Sequence, residues 1–185
     1  NKLQHSDISE IRYAHLFANS IDGVSWVTSK NFSCSGAAAN YSFLYMLFKI
    51  LNDVEPSMIL ECGLGQSTKL LSQFVATHSN SFLITLEESK EWCDYYSKYL
   101  IDSPRFFIHV NPVVSIKHKG FPATKYKDVK HVVGDKKFNL IVNDGPCGSD
   151  FYSRIHILDL LANNLADDFI IIIDDVERSG EKQTM

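Results

Sequence analysis

Short apolar runs bounded by turn residues alternate along this chain with longer segments whose apolar residues recur at helical spacing. The runs occur at residues 58–60, 82–86, 106–110, 138–142 and 169–173. Runs of this kind are typical of strands that are buried on both faces of a sheet. Strands that alternate with helices are joined by right-handed crossovers and form parallel sheets. The pattern therefore predicts an α/β fold, with a doubly wound, mostly parallel sheet and helices on both faces.

In the first half of the chain, helices are predicted before the first strand, after the first strand and after the second strand. One helix extends from Ser35, as its N-cap, to about Leu51. Another follows the first strand, with Ser67 as its N-cap, because a hydroxyl at that position accepts a hydrogen bond from a free backbone N–H. A third covers residues 89–100 and carries on one side Trp92, Tyr96, Tyr99 and Leu100.

The second half of the chain predicts a hairpin and one more helix. Residues 111–137 contain prolines and glycines among lysines, which favours a loop or a small hairpin over a long helix. After the fourth strand, Ser149 is the predicted cap of a helix. The residues of this helix that face the sheet are predicted to be Ile155, Leu158, Leu161, Ala162 and Leu165.

The length of 185 residues and the hydrophobic fraction of 45% fit one ordinary globular domain with a short extension. We assign residues 1–34 to an N-terminal extension of unassigned structure and residues 35–185 to the α/β domain. The first residue is Asn1 rather than Met, so we expect that an upstream piece has been removed.

Composition and charge disfavour several classes of partner. A net charge of −4 and a pI near 6.0 give no reason to expect nucleic acid. No apolar run approaches the roughly 18 to 20 residues of a membrane span, and no secretory signal is visible, so no membrane association is expected. The cysteines lack metal-type or redox-type spacing, which favours reduced thiols and a cytoplasmic location.

The loop after the first strand carries the strongest chemical signal. Glu61 ends the strand, Gly63 and Gly65 alternate with other residues, and an amphipathic segment follows. A strand, a glycine loop and a helix N-terminus together bring a nucleotide-like ligand against bare backbone. No Gly-Lys-Ser/Thr follows, so this is not a phosphate loop. Thr68 stands where the dinucleotide fingerprint has its third glycine.

This acid-x-Gly-x-Gly sequence resembles the first motif of the class I S-adenosylmethionine-dependent methyltransferases. Later strands that end in acids, at Glu87, Asp144 and Asp174, follow in the order of that family, and the resemblance covers Met58 to about Arg178. It implies a Rossmann-like fold and S-adenosylmethionine as cofactor. The family usually completes its sheet with an antiparallel pair after the fifth strand. The chain ends at Met185, so we expect those strands to be missing or truncated.

The resemblance also implies which residues hold the cofactor. Glu61 is expected near the methionine end, and Glu87, with Glu88 as its rival, is expected to accept both ribose hydroxyls. Trp92 either borders the adenine or belongs to the core. The full set implied for cofactor binding is Glu61, Gly63, Gly65, Gln66, Ser67, Thr68, Glu87 and Asp144.

The acids at the last two strand ends raise the question of a metal. The positions of Asp144, Asp174 and Asp175 resemble those of three acids in the catechol-type, metal-dependent O-methyltransferases. In that group the acids bind a divalent cation. Hard oxygen ligands suit Mg²⁺ or Ca²⁺. Cys147 stands where that group has a lysine. We therefore keep a divalent cation as a possibility and favour a direct catalytic role for the Asp144 carboxylate.

The run Asp144-Gly145-Pro146-Cys147-Gly148, with Arg154 downstream, also resembles a pattern of polysaccharide-modifying methyltransferases. Arg154 either clamps an anionic sugar carboxylate or is a surface arginine on a helix. The function expected is O-methylation of a small molecule or a saccharide. Two alternatives stay open, a nicotinamide-dependent oxidoreductase on a similar fold and a non-catalytic Rossmann-like module.

Overall fold

The computed structural model describes residues 2–34 and 39–185, with side chains from Ile8 onward. The first half contains α1 (Lys2–Ile21), α2 (Tyr41–Val54), β1 (Met58–Cys62), α3 (Gln66–Thr77), β2 (Phe82–Glu87), α4 (Lys90–Tyr96) with a 3₁₀ turn (Ser97–Tyr99), and β3 (Phe106–Val110). The second half contains β4 (Val113–His118), β5 (Phe121–Tyr126), α5 (Val129–Val133), β6 (Phe138–Asn143), α6 (Ile157–Leu161), β7 (Leu165–Ile173) and α7 (Ser179–Thr184).

The central sheet has five strands in the order β3-β2-β1-β6-β7, and every neighbouring pair in it is parallel. The predicted α/β, Rossmann-like fold is confirmed. In β1, Cys62 lies opposite both Leu86 of β2 and Asn143 of β6, so these three strands end at the same level. The strand order reverses on either side of β1. A reversal of this kind opens a crevice beyond the carboxyl ends of the strands, where ligands bind.

Both faces of the central strands are buried, as the apolar runs predict. Ile59 and Leu140 belong to a core with α2 and α3, whereas Leu60 and Ile141, one position later, pack on the opposite face against α5 and α6. The outermost strand, β7, differs because it lies at the sheet edge and its residues are half-buried or exposed. The prediction of burial on both faces is therefore right for β1 and β6 and wrong for β7.

The starts of two helices differ from the prediction. Helix α2 begins at Tyr41, because the side chain of Asn40 accepts a hydrogen bond from the Phe43 N–H. The predicted cap, Ser35, lies outside the described residues. Helix α3 begins at Gln66 after Gly65, so Ser67 lies inside the helix and is not its cap.

The hairpin prediction for residues 111–137 is confirmed, since β4 and β5 form an antiparallel pair and the short α5 follows. The helix predicted for residues 89–100 is shorter than expected. Its cap is Ser89, whose hydroxyl accepts from the Trp92 N–H, and α4 ends at Tyr96 before the 3₁₀ turn.

The long helix predicted after β6 is wrong. Only α6 is helical there, and Leu158 and Leu161, predicted to face the sheet, are 39% and 44% exposed. The preceding residues form turns in which Tyr152 and Arg154 adopt left-handed backbone angles. Leu165, also predicted on the helix, begins β7. Beyond β7, the part of the chain that the structure describes forms α7 and no further strand.

The N-terminal segment packs against the α/β core. Phe17 and Ile21 of α1, followed by Trp26, join the same apolar cluster as α2 and α3. Gln73 of α3 accepts hydrogen bonds from the Thr28 hydroxyl and the Ser29 N–H, which fixes the segment to that helix. The domain division at residue 34 stays a prediction. None of the helices described is both long and apolar enough to cross a membrane.

Candidate active site

A cavity of about 1010 Å³ lies beyond the carboxyl ends of the central strands. It is bordered by the glycine loop after β1, by the end of β2 with α4, and by the loops after β6 and β7. The cavity thus occupies the position where an open parallel sheet of this order binds its ligand.

The two glycines of the loop have different physical roles. Gly63 has a φ of +98°, and a Cβ there would lie 3.0 Å from the Gly145 nitrogen, so this position has to be glycine to pack against the loop after β6. Gly65 has an extended φ of −174°, and a Cβ built on it would meet no heavy atom of the described residues within 4 Å. The space that Gly65 leaves open is therefore available to a ligand.

Glu61 supports the loop from below and does not border the cavity. It is fully buried, and one carboxylate oxygen accepts a hydrogen bond of 2.8 Å from the Thr85 hydroxyl. The other oxygen has no hydrogen-bond partner among the residues that the structure describes. Burial therefore raises the pKa of Glu61 to about 7.

The remaining residues predicted for the cofactor divide into two groups. Ser67 and Thr68 are buried behind the loop, where the Thr68 hydroxyl accepts a 2.8 Å hydrogen bond from the Gly65 N–H. The predicted residues that do border the cavity are Gly63, Gly65, Gln66, Glu87 and Asp144. The structure thus brings most of the predicted set together, with Glu61 and the two hydroxyl residues in a supporting layer.

The Glu87 carboxylate is fixed at the cavity wall by two backbone groups. One of its oxygens accepts a 2.9 Å hydrogen bond from the Leu64 N–H, and the other accepts a 2.9 Å bond from the Ser89 N–H. Each carboxylate oxygen has two lone pairs, so one stays free on each side. A carboxylate held in this way presents two acceptors to a pair of neighbouring hydroxyls.

An aromatic wall stands beside Glu87. The rings of Trp92 and Tyr95 are stacked at 5.5 Å, and the Trp92 indole N–H donates a 2.7 Å hydrogen bond to the Leu64 carbonyl. Trp92 is 40% exposed and borders the cavity, so it is not a core residue. Tyr95, which we did not single out from the sequence, and Tyr99 belong to the same wall. The signal was the repeat of aromatic residues at helical spacing directly after an acid-ended strand.

Three acidic side chains meet on the opposite side of the cavity. Carboxylate oxygens of Asp144, Asp174 and Asp175 all lie within 4.8 Å of one another. Burial, followed by the negative charge of Asp174, raises the pKa of Asp144 to about 8. Burial also raises the pKa of Asp174. Carboxylate oxygens are ligands that a divalent cation prefers. The structure thus brings the three predicted metal ligands close together.

Arg154 is buried among these acids and is not a surface residue. Only 3% of it is exposed, and its Nη2 atom lies 2.8 Å from an oxygen of Asp175 and 3.4 Å from one of Asp144. Its other nitrogens donate to the carbonyls of Asp174, at 3.1 Å, and of Pro146, at 3.4 Å. The prediction that Arg154 clamps a substrate stays a prediction, but the guanidinium is already bonded to groups of the protein itself.

Comparisons with known proteins were made by sequence and by structure. No protein-family model matches the chain, and no curated protein matches it. Among solved structures, it is similar to the SAH-bound methyltransferase PaMTH1 of Podospora anserina, with 18% identity and a TM-score of 0.51 over 90% of this chain. The fold is that of the class I S-adenosylmethionine-dependent methyltransferases.

This likeness covers only part of the other protein. The chain spans 62% of the length of PaMTH1. A coclaurine N-methyltransferase bound to N-methylheliamine and SAH is also similar, at 10% identity over 88% of this chain and 49% of that chain. Its TM-score of 0.42 is too low to carry an argument.

Some residues of this methyltransferase-fold site have no clear signal in the sequence. Glu181 of α7 is 1% exposed, and one of its oxygens lies 3.9 Å from Arg154 Nε. Tyr126 of β5 borders the cavity and donates a 3.3 Å hydrogen bond to the Leu86 carbonyl. Cys147 also borders the cavity, and burial raises the pKa of its thiol, which disfavours a nucleophilic thiolate.

Proposed function

We propose that this chain is an S-adenosylmethionine-dependent methyltransferase. The observation that carries the proposal is the pairing of the open face at Gly65 with the anchored Glu87 carboxylate across one cavity. These features fit the cofactor, because its amino-acid part needs close approach to backbone and its ribose presents two hydroxyls. The likeness to an SAH-bound methyltransferase adds support at the level of the fold.

The residues that would hold the cofactor follow from this arrangement. Gly63 and Gly65 lie against its amino-acid part, Glu87 accepts from the ribose hydroxyls, and Trp92 borders the adenine. When bound, S-adenosylmethionine supplies a methyl group on a sulfonium that is already a good leaving group. The task left to the protein is to align the acceptor atom with that methyl carbon and to manage the acceptor's proton.

Asp144 is the residue that we propose for the proton. For a hydroxyl acceptor, the O–H bond breaks as the oxygen gains its methyl group, and the proton passes to the Asp144 carboxylate. A base works best when its pKa is near the working pH, and burial has raised the pKa of Asp144 to about 8. We therefore propose O-methylation, with a small molecule or a saccharide as acceptor, in the cytoplasm.

The nicotinamide alternative shares the Glu87 carboxylate, because an acid about 20 residues after the glycine loop also accepts from the ribose of NAD, so the two cofactors are distinguished at the loop itself. A nicotinamide cofactor would need the third glycine of its fingerprint, and Thr68 at that position is fully buried and bonded to the loop. A non-catalytic module would have no need for a buried carboxylate of raised pKa at the edge of the cavity.

The test is calorimetry with S-adenosylmethionine, S-adenosylhomocysteine and NAD⁺ on the wild type and on a graded series at one position. Gly65→Ala should weaken binding of the first two ligands, and Gly65→Val should abolish it, because the added carbons occupy the open face. Both variants should stay folded, with a melting temperature somewhat below that of the wild type, because alanine and valine are poorer N-caps than glycine but a Cβ at Gly65 meets no heavy atom of the described residues within 4 Å. Wild-type affinity in Gly65→Val, or a preference for NAD⁺, refutes the proposal.

A further inference from the structure

The acid cluster of Asp144, Asp174 and Asp175 brings three carboxyl groups together at a site where water has little access to screen their repulsion. The Asp144 and Asp175 side chains are only 19% and 20% exposed, and Asp174 adds a third carboxylate within 4.8 Å. Like charges this close and this far from water repel strongly unless a cation lies between them. A bound metal ion, a cationic side chain or protonation of a carboxyl group relieves this repulsion, and only the first two also keep the carboxylates ionised.

Arg154 is placed where such a cation is needed. A single guanidinium nitrogen, Nη2, lies 2.8 Å from Asp175 and 3.4 Å from Asp144, so it joins the loops after β6 and β7. The side chain is 4% exposed, which excludes most solvent screening of these contacts. Arg178 also contacts Asp175 at 2.8 Å, but its side chain is 57% exposed and it has no recorded contact with Asp144.

The backbone is shaped to hold this contact. Arg154 has a φ of +56°, a left-handed angle that long side chains seldom adopt, and Asp175 has a φ of +60°, which aspartate tolerates more readily. Strained backbone of this kind persists only where the surroundings impose it, and it clusters at functional sites. Below the guanidinium, the buried Glu181 carboxylate adds a further negative charge at 3.9 Å. An unusual backbone angle at Arg154 itself and a buried acid below it thus accompany the contacts of this guanidinium.

We propose that Arg154 is the built-in cation of this cluster. Its guanidinium contacts one carboxylate oxygen of Asp144 and one of Asp175 and brings its positive charge to the place that a divalent cation would take, so the two exclude one another and the intact site binds no metal. Removal of the guanidinium uncovers a divalent cation site made of Asp144, Asp174 and Asp175. For methyl transfer, a consequence that rests on the proposed function, Arg154 is a positioning residue that holds the Asp144 carboxylate in place without a metal.

The test is Mn²⁺ binding, followed by electron paramagnetic resonance, in the wild type and in Arg154→Met and Arg178→Met. Methionine keeps the length and apolar stem of arginine and removes its charge. Arg154→Met should bind one Mn²⁺ at least about tenfold more tightly than the wild type, because the Asp144 and Asp175 carboxylates lose the cation that competes for them. Arg178→Met, the matched control, should behave as the wild type. Asp144→Asn added to Arg154→Met should abolish the gained site.

Two results would overturn the proposal. One is Mn²⁺ binding by the wild type that Asp144→Asn removes, and the other is a folded Arg154→Met protein that gains no Mn²⁺ site. If Arg154→Met does not fold in metal-free buffer, refolding with Mn²⁺ should recover it, and failure to do so also refutes the proposal. S-adenosylhomocysteine binding by the wild type is measured separately. Its absence would contradict the proposed function and leave the Mn²⁺ result unaffected.

Discussion

Replacement of Glu61 by glutamine tests how burial controls the protonation of this side chain, which lies behind the glycine loop. Glu61 is fully buried, with a hydrogen bond from the Thr85 hydroxyl at one oxygen and, at the other, no partner within hydrogen-bond geometry among the described residues. The carboxylate form is thus poorly stabilised by its surroundings, and the protonated form is favoured. Glu61→Gln has the shape of that protonated acid, and its carbonyl oxygen can accept the same hydrogen bond.

The size of the effect follows from the pKa. Burial raises the pKa of Glu61 from 4.5 to about 7 in the folded protein. Between these two pH values the folded state binds the proton more tightly than the unfolded state, so the free energy of unfolding falls as the pH rises. With about 1.4 kcal/mol for each pH unit, the wild type loses about 3 kcal/mol between pH 4.5 and 7 through this group. Glu61→Gln does not titrate and avoids that loss.

Urea unfolding at pH 5 and pH 8 measures the effect as a double difference. Relative to the wild type, Glu61→Gln should gain stability by about 2 to 3 kcal/mol on going from pH 5 to pH 8. Glu55→Gln is the matched control, because the same substitution there replaces an exposed side chain and should leave the wild-type profile unchanged. If the wild type and Glu61→Gln keep parallel profiles, within about 0.5 kcal/mol, burial does not control the charge of this residue.

Two further predictions concern the loop after β6. Gly145→Ala should lower the free energy of unfolding by about 1–3 kcal/mol in urea, because its Cβ would lie 2.7 Å from the Gly63 backbone; unchanged stability would show that the two loops can separate freely. Asp144→Asn should reduce turnover about 10²- to 10⁴-fold while calorimetry shows wild-type cofactor affinity, and a chelator should change neither. Full activity in Asp144→Asn would exclude the proposed proton acceptor, and loss of activity with a chelator would point to a metal.

The central strands could be predicted because their burial depends on a local pattern. Ile59 and Leu60 face opposite sides of the sheet, and both sides are covered by helices, so a short continuous apolar run was sufficient. The same reasoning was less successful for β7. Its run of isoleucines is as apolar as the other strands, but its place at the sheet edge depends on strand order, which a local pattern does not contain.

The region after β6 shows where helical periodicity misleads. Apolar residues are dense enough there to fit more than one helical face. We selected the face with Leu158 and Leu161, whereas the buried residues of α6 are Ile157 and Leu160; Ile155, also predicted to be buried, is buried in the preceding turn. The choice between faces is made by the preceding turns. Their course is fixed by Arg154, whose partners lie in the loops after β6 and β7.

The site was predictable to the extent that it depends on sheet geometry. Parallel strands bring their carboxyl ends to one edge, so Glu87 and Asp144 were expected near the glycine loop, and both border the cavity. The depth at which a side chain lies is a different matter. Glu61 lies behind the loop and Glu181 under Arg154 because of packing between distant segments, which no short motif records.

The contact between Gly63 and Gly145 has a consequence for how this sequence can vary. The two residues belong to loops 82 positions apart, and a Cβ on Gly145 would lie 2.7 Å from both the nitrogen and the Cα of Gly63. A side chain at either position pushes the other loop away, so neither glycine can be exchanged while the other loop keeps its course. Substitutions in the glycine loop after β1 and in the loop after β6, which carries Asp144, are thus expected to be coupled in evolution. A relative with a larger residue in place of one of these glycines is expected to have a compensating change in the other loop, such as an inserted or deleted residue.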